Sequence, residues 1–273
     1  MLEKLNVSKS GYYDYLKRVP CKTKIRKAVL TSEIKKIHEE SKQIYGAPKI
    51  TVKLRQAGHK VSERYVGKIM RENGIRAHYI KPRTKTTRDC DFSNKLTNVL
   101  ERDFNPKKPN AAWCTDITYI HTYNDGFVYL TSIMDLYSRK IISWTLSKTM
   151  ETEEVLKCLE EAKEKRKNEN PIILQSDRGA QFTSKRYKEL TEDMIRSYSK
   201  KGNLWDNACI EAFHALIKRE WLNRFKIWNY EEAYKLIFEY LEGFYNTIRI
   251  HSHCEYMSPV QFEKKYKMLD ETN

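Results

Sequence analysis

The sequence has no apolar run approaching the roughly 18 residues of a membrane-spanning helix, and its mean hydropathy of −0.75 is that of a water-facing chain. Its opening, MLEKLNVSKSGYY, lacks the apolar centre of a secretory signal. The expectation is a cytoplasmic protein with no membrane partner. Its six cysteines are scattered, and none forms a C-x-x-C pair. They read as reduced thiols and not as a disulfide framework. The histidines lack zinc spacing: the nearest cluster, His251-Ser252-His253-Cys254, is too short for a four-ligand site and reads as packing and hydrogen bonding.

What is present is length, charge and pattern. A chain of 273 residues can bury one substantial core and one or two small ones. Its formal charge of +15 is uneven: residues 1–108 hold 27 Lys and Arg against 11 Asp and Glu, a net of +16, and the remaining 24 and 25 leave −1. A basic front half on a neutral rear half fits a DNA-gripping module joined to a catalytic one, with solubility alone as the plain alternative.

Residues 1–20 read as a short helical piece interrupted at Ser-Lys-Ser-Gly. From Thr31, the spacing of Ile34, Ile37 and His38 predicts a helix ending before YGAPKI. Pro48 suits the first turn of a second helix carrying Ile50, Val52 and Leu54, which Gly58 can close. Ser62 can cap a third, ERYVGKIMREN, with Val66, Ile69 and Met70 inward and Asn73-Gly74 at its end. Two short helices about a glycine turn, the second bearing Arg64, Lys68 and Arg71 on one face, match a DNA-binding helix-turn-helix. Surface cations on any helix give the same spacing.

Residues 81–110 turn polar and basic and read as a linker. Strands are then predicted at residues 112–122, 126–134 and 139–147, with a hairpin turn at Asp125-Gly126. A helix follows in ETEEVLKCLEEAKEKRK, and then a buried strand, Pro171-Ile172-Ile173-Leu174, runs out into a loop at Asp177. Further on, DNACIEAFHALIKREWL predicts a helix with Asp206 as its N-cap and Cys209, Ala212, Phe213, Leu216 and Ile217 on its apolar face. Asn207, Glu211, His214 and Lys218 form a polar stripe, which by itself reads as a solvated face. A last long helix, YEEAYKLIFEYLEGFYNTIRIH, places Tyr234, Ile237, Phe238 and Leu241 on one face as core, followed by an irregular tail.

Asp116 gives the stripe another meaning. It lies inside the half-buried strand AWCTDITYIHTY, where an aspartate is costly unless something pairs with it. Three carboxylates, Asp116, Asp177 and Glu211, can converge to hold two hard cations through oxygen. Such a pair stabilises the oxygens entering and leaving phosphorus, so the chemistry suggested is phosphoryl transfer.

The stretches WCTDITYI, LTSIMDLYSRKIISW, SDRGAQFTSK, SKKGNLWDNACIEAFHALIKRE, FYNTIRIHS and YMSPVQFE, in that order over residues 109–265, resemble the two-frame insertion-sequence transposases (the insertion sequence 3 family, downstream frame) of the retroviral-integrase superfamily. A weaker likeness covers residues 1–80. In one departure, 33 residues separate Asp177 from Glu211, two fewer than the family commonly has, and ELTEDMIRSYSKKGN reads as the trimmed connection. The resemblance implies an α/β fold, a ribonuclease H-like mixed sheet flanked by helices, after a small all-α helix-turn-helix domain. The boundaries expected are residues 1–30 (N-terminal helical segment), 31–80 (helix-turn-helix), 81–110 (linker), 111–225 (catalytic core) and 226–273 (C-terminal helix and tail).

It also implies a DNA transposase in which Asp116, Asp177 and Glu211 hold two Mg²⁺ ions, Mn²⁺ being able to substitute. Lys218, Lys200, Lys201 and Asn203 are candidates to hold DNA near the metals, with Arg64, Lys68 and Arg71 gripping it from the helix-turn-helix. The partners expected are DNA, a homo-oligomer on DNA, and the product of an upstream frame, in the nucleoid of a bacterial cell. A family likeness also marks Asn246, Arg249 and His251, without a role. Two alternatives stay open: a metal-dependent nuclease on the same scaffold, and a catalytically silent DNA-binding regulator.

Overall fold

The computed structural model describes residues 4, 8–17, 19, 21–78, 96–167, 170–200 and 204–270. The chain divides into two compact units, Met1–His78 and Tyr79–Asn273.

The first unit is helical: α1 (Lys9–Leu16), α2 (Lys22–Glu40), α3 (Ala47–Gln56) and α4 (Glu63–Glu72). Ser8 caps α1 by accepting from Gly11 N–H, so the Ser-Lys-Ser-Gly stretch begins a helix and does not interrupt one. Helix α2 starts at Lys22, well before Thr31, because residues 22–30 contain no helix breaker. Leu30, Ile34, Ile50, Leu54, Val66 and Ile69 are buried against one another and hold α2, α3 and α4 together. Each such side chain contributes about 1.5–3 kcal/mol. Gly58 turns the chain between α3 and α4 at φ +87°, a conformation that penalises a side chain. Ser62 Oγ then accepts from Tyr65 N–H to start α4.

The second unit is built on a five-stranded sheet of order β3-β2-β1-β4-β5: β1 (Ala112–Thr122), β2 (Gly126–Asp135), β3 (Ile141–Ser147), β4 (Ile173–Ser176) and β5 (Ile195–Tyr198). The first three run antiparallel, while β4 and β5 are parallel to β1. This is the ribonuclease H-like arrangement. On one face, α5 (Thr152–Arg166) seals a core of Trp113, Ile133, Ile142, Leu159, Leu174 and Phe182. Two short helices, α6 (Ala180–Thr183) and α7 (Lys185–Leu190), complete that side. On the other face lie α8 (Ala208–Glu220) and α9 (Tyr230–Tyr240), which a π turn extends over Leu241–Tyr245. Helix α10 (Pro259–Asp270) ends the described chain, beyond the irregular tail expected over residues 246–259.

Two faces differ from expectation. Helix α8 buries Ile210, Phe213, His214 and Ile217, while Ala212 is exposed, so the packed face is rotated onto the polar stripe. Helix α9 buries Leu236, Ile237 and Tyr240, leaving Tyr234 and Phe238 exposed. Within the expected linker, residues 81–95 lie outside the described residues. Residues 97–100 instead run along β5: Val99 and Leu100 N–H donate to Ser197 Oγ, and Tyr198 N–H donates to Thr97 O.

Candidate active site

Side chains alternate across a strand, and in β1 that alternation sends Trp113, Thr115 and Ile117 toward α5 and Cys114, Asp116 and Thr118 toward α8. Asp116 sits opposite Ser132 of β2 in the ladder. His214 of α8 reaches both: Nδ1 lies 3.4 Å from Asp116 Oδ2 and Nε2 3.3 Å from Ser132 Oγ. The stripe of Asn207, Glu211, His214 and Lys218 is therefore not a solvated face; most of it lies against β1 and β2.

Asp177 follows the last residue of β4, where the strand ends and the backbone turns. Its Oδ1 accepts from Gly179 N–H at 2.8 Å, which fixes the carboxyl's direction. A Cβ on Gly179 would stand 3.0 Å from that same oxygen. Gly179→Ala is expected to displace the Asp177 carboxyl and slow any chemistry that depends on it by about tenfold to a hundredfold with little loss of stability; an activity assay beside a thermal melt checks it. Arg178 secures the loop by donating from Nε to Ser199 O and from Nη2 to Leu96 O.

Glu211 stands in the first turn of α8. Asp206 is not the cap of that helix: the N-cap is Asn207, without a side-chain cap bond. Asp206 lies in the preceding 3₁₀ turn, accepting from Arg102 Nε at 2.7 Å and from Lys200 N–H at 2.8 Å. Burial works against its charge, yet those donors hold its carboxyl below the usual range. Asn207 Nδ2 donates to Thr115 O at 3.1 Å, which ties the start of α8 to the residue before Asp116.

The Asp116 charge acts on both other carboxyl groups, and that of Asp177 on Glu211. Burial and then the Asp116 charge push Asp177 up to about 6. Asp177 is nonetheless exposed to water, as is Glu211. Burial, then Asp116 and Asp177, push Glu211 to about 7. Lys218 donates to Thr118 Oγ1 at 2.7 Å; burial lowers its pKa, and Asp116 opposes the shift. Among the described residues, no three acidic, histidine or cysteine side chains stand together as a group that could hold a metal ion.

The structure thus gathers Asp177, Glu211 and Lys218 around Asp116, whose charge acts on all three. Lys200 is exposed in the loop before α8, and Lys201 and Asn203 lie outside the described residues. Arg64, Lys68 and Arg71 are exposed along α4 in the other unit. Three supports escaped the sequence reading: His214 and Asn207, taken for a solvated face, and Asp206, whose arginine partner is 104 residues away.

Among known families, the integrase core domain matches residues 106–197, an HTH-like domain residues 24–83, and a second integrase core domain residues 211–266. The chain is 35% identical over 249 residues to the transposase for insertion sequence element IS904 of Lactococcus lactis, covering 90% of this chain and 98% of that protein. It is 33% identical over 270 residues to transposase InsF for insertion sequence IS3A of Escherichia coli, covering 97% and 93%. The simian T-cell lymphotropic virus intasome in complex with PP2A regulatory subunit B56 gamma aligns at 15% identity and a TM-score of 0.47, over 84% of this chain and 73% of that one.

Proposed function

The chain belongs to the IS3 family of insertion-sequence transposases, in the retroviral-integrase superfamily, and we propose that it cuts and joins DNA by direct attack at phosphorus, with Asp116, Asp177 and Glu211 as the catalytic carboxylates. The observation that carries this reading is the convergence of Asp177 and Glu211 on Asp116: burial and then the Asp116 charge raise both, and Asp177 adds to the rise of Glu211. Carboxylates are stable so close together when a proton or a cation lies between them.

The donor set fits a hard divalent cation: three carboxyl groups offer oxygen only, as Mg²⁺ or Mn²⁺ prefer and zinc does not. Two such ions bound there supply Lewis-acid stabilisation of the oxygens that enter and leave phosphorus. The chain's own groups do the rest. His214 and the β1–β2 ladder fix Asp116, the Gly179 N–H aims Asp177, and Asn207 with Asp206 sets the start of α8 and with it Glu211. Lys218, held at Thr118, presents a cation to the phosphate beside Asp116. Arg64, Lys68 and Arg71 on α4 contact the backbone of the element's end, and Lys200 contacts DNA ahead of Glu211. Joining two ends calls for a DNA-bound oligomer, with the upstream-frame product as a further partner. Among the described residues no helix is long and apolar enough to cross a membrane.

The test is an oligonucleotide copied from the DNA flanking the gene, incubated with Mg²⁺ or with Mn²⁺. Joined strands that vanish with EDTA and return with added Mg²⁺ are the expected result. Hydrolysis without joining transfers the reading to a nuclease, and metal-independent joining overturns the role of the carboxylates.

A further inference from the structure

A single file of aromatic rings starts beside Lys218 and runs outward along the β1–β2 hairpin, on the face of β1 opposite to Asp116. At its head Lys218 Nζ lies 4.7 Å from the centroid of Tyr119. Centroids then follow at 5.4 Å from Tyr119 to Phe127, 5.4 Å from Phe127 to His121, 5.8 Å from His121 to Tyr123, and 5.2 Å from Tyr123 to Trp228.

The file exists because β1 outruns its neighbour. Only Ala112, Trp113 and Cys114 pair with β4, so the rest of β1 projects with β2 alone beside it. Tyr119 and His121 have the strand parity of Ile117, which packs on the core, but they lie past its edge. Tyr119, Phe127, Tyr123 and Trp228 are 52%, 50%, 58% and 51% exposed. Isolated surface aromatics need no explanation, whereas contiguous ones mark a binding surface.

The far end is rigidly held. Tyr123 and Asn124 N–H donate to Ile227 O and Trp228 O at 3.0 and 2.8 Å, and Trp228 N–H donates to Glu232 Oε2 at 2.7 Å. Of the acids there, Asp125 accepts from Tyr230 N–H and pairs with Lys148 at 3.4 Å, and Glu232 is engaged by Trp228. Lys226, between Phe225 and Trp228, is exposed. The file is thus one ring wide and begins beside a cation, with exposed Lys226 two residues before its last ring.

We propose that this file is a stacking platform for an unpaired DNA strand leaving the carboxylates, with bases on Tyr119, Phe127, Tyr123 and Trp228 and phosphates against Lys218 and Lys226. Every base has a π face, so such a platform accepts any sequence, and a row of exposed rings with a cation at its head suits a flexible single strand better than a stiff duplex. The inference rests on the reading that the carboxylates act on DNA, because that places a strand at the head of the file.

The test uses the full chain in EDTA, where nothing is cut, with fluorescein-labelled oligo-dT and a blunt duplex of equal nucleotide count at fixed salt. Trp228→Ala and Tyr123→Ala are each expected to weaken oligo-dT binding about tenfold or more, and duplex binding by less than about twofold. Trp228→Leu, which keeps the apolar bulk and loses the π face, should be as weak as Trp228→Ala. Unchanged oligo-dT affinity in the alanine variants overturns the platform, as does full binding by Trp228→Leu. So does a sedimentation shift toward monomer with oligo-dT binding intact, which assigns the file to a second copy of the chain. If wild type binds oligo-dT through Trp228 yet joins no DNA with Mg²⁺, the platform stands and the transposase reading falls.

Discussion

Replacing Asp177 by Asn is expected to lower strand joining at least about 10³-fold while leaving the chain folded, since loss of metal-borne charge stabilisation at phosphorus amounts to several kcal/mol. The substitution is nearly isosteric, and the new side chain would still accept the Gly179 N–H through its amide oxygen. The loss therefore reports charge and not shape. It also has a signature in the metal-free protein. Glu211 is raised to about 7 from an ordinary 4.5, and Asp177 to about 6 from 3.8. Acids with raised pKa bind protons more tightly folded than unfolded, so their contribution to stability is present at low pH and is lost as pH rises. Between about pH 4 and 7 the metal-free chain should lose stability from these two groups. Asp177→Asn removes one raised acid and relieves the other, so its melting temperature should exceed wild type at pH 8 in EDTA by a few degrees, on a scale of about 2–4 °C per kcal/mol. Added Mg²⁺ should close the gap by stabilising wild type alone. Joining within about tenfold of wild type, or an unchanged melting difference across pH, would sink the assignment of Asp177.

The strands were legible because β1, β2 and β3 are long runs of β-branched and aromatic residues, and Gly126 at φ +73° marks the hairpin. Carboxylate placement was legible for the same reason: parity along β1 puts Asp116 on one face, and the end of a buried strand puts Asp177 at an opening. The helix faces were less so. Hydrophobic periodicity assumes that the packed face is apolar, but α8 lies on β1 and β2 with Asn207 and His214 inward, because their polar partners, Thr115 O and Ser132 Oγ, are on the sheet. In α9, aromatic residues occur on both sides, and nothing local tells buried Tyr240 from exposed Tyr234. Long-range partners such as Arg102 for Asp206 leave no local signal. The same holds for the family-marked residues of the C-terminal segment. Asn246 accepts from Ile141 N–H and donates to Ile141 O, fastening the turn after α9 to β3, while the backbone of His251 pairs with Met257.

Arg249, the third of those residues, carries the largest expected effect on stability. Its guanidinium grips Glu220 at the end of α8, Nε to Oε2 at 2.8 Å and Nη2 to Oε1 at 2.7 Å, and Tyr240 Oη donates to Oε2 at 2.8 Å. The two side chains are only 7% and 11% exposed. Burial disfavours the Arg249 charge, but Glu220 outweighs it and the pKa is raised; Tyr240 is raised by burial and by the Glu220 charge. Arg249→Leu takes both guanidinium donors from a buried carboxylate, a change that costs about 3–5 kcal/mol. For a chain of this length that corresponds to a fall in melting temperature of roughly 10 °C. Adding Glu220→Gln removes the stranded charge, keeps an acceptor for Tyr240, and should recover most of the loss, so the double-mutant cycle isolates the charge from the packing. A single variant that loses less than about 1 kcal/mol would show the pair to be dispensable. Function is tied to the same contact. Glu220 and Glu211 stand nine positions apart on α8, about 13 Å along its axis, so the helix that presents the third carboxylate is anchored at its far end by Arg249 and at its near end by Asn207. At a temperature where Arg249→Leu remains folded, joining should fall less than in Asp177→Asn, since the carboxylates themselves are untouched.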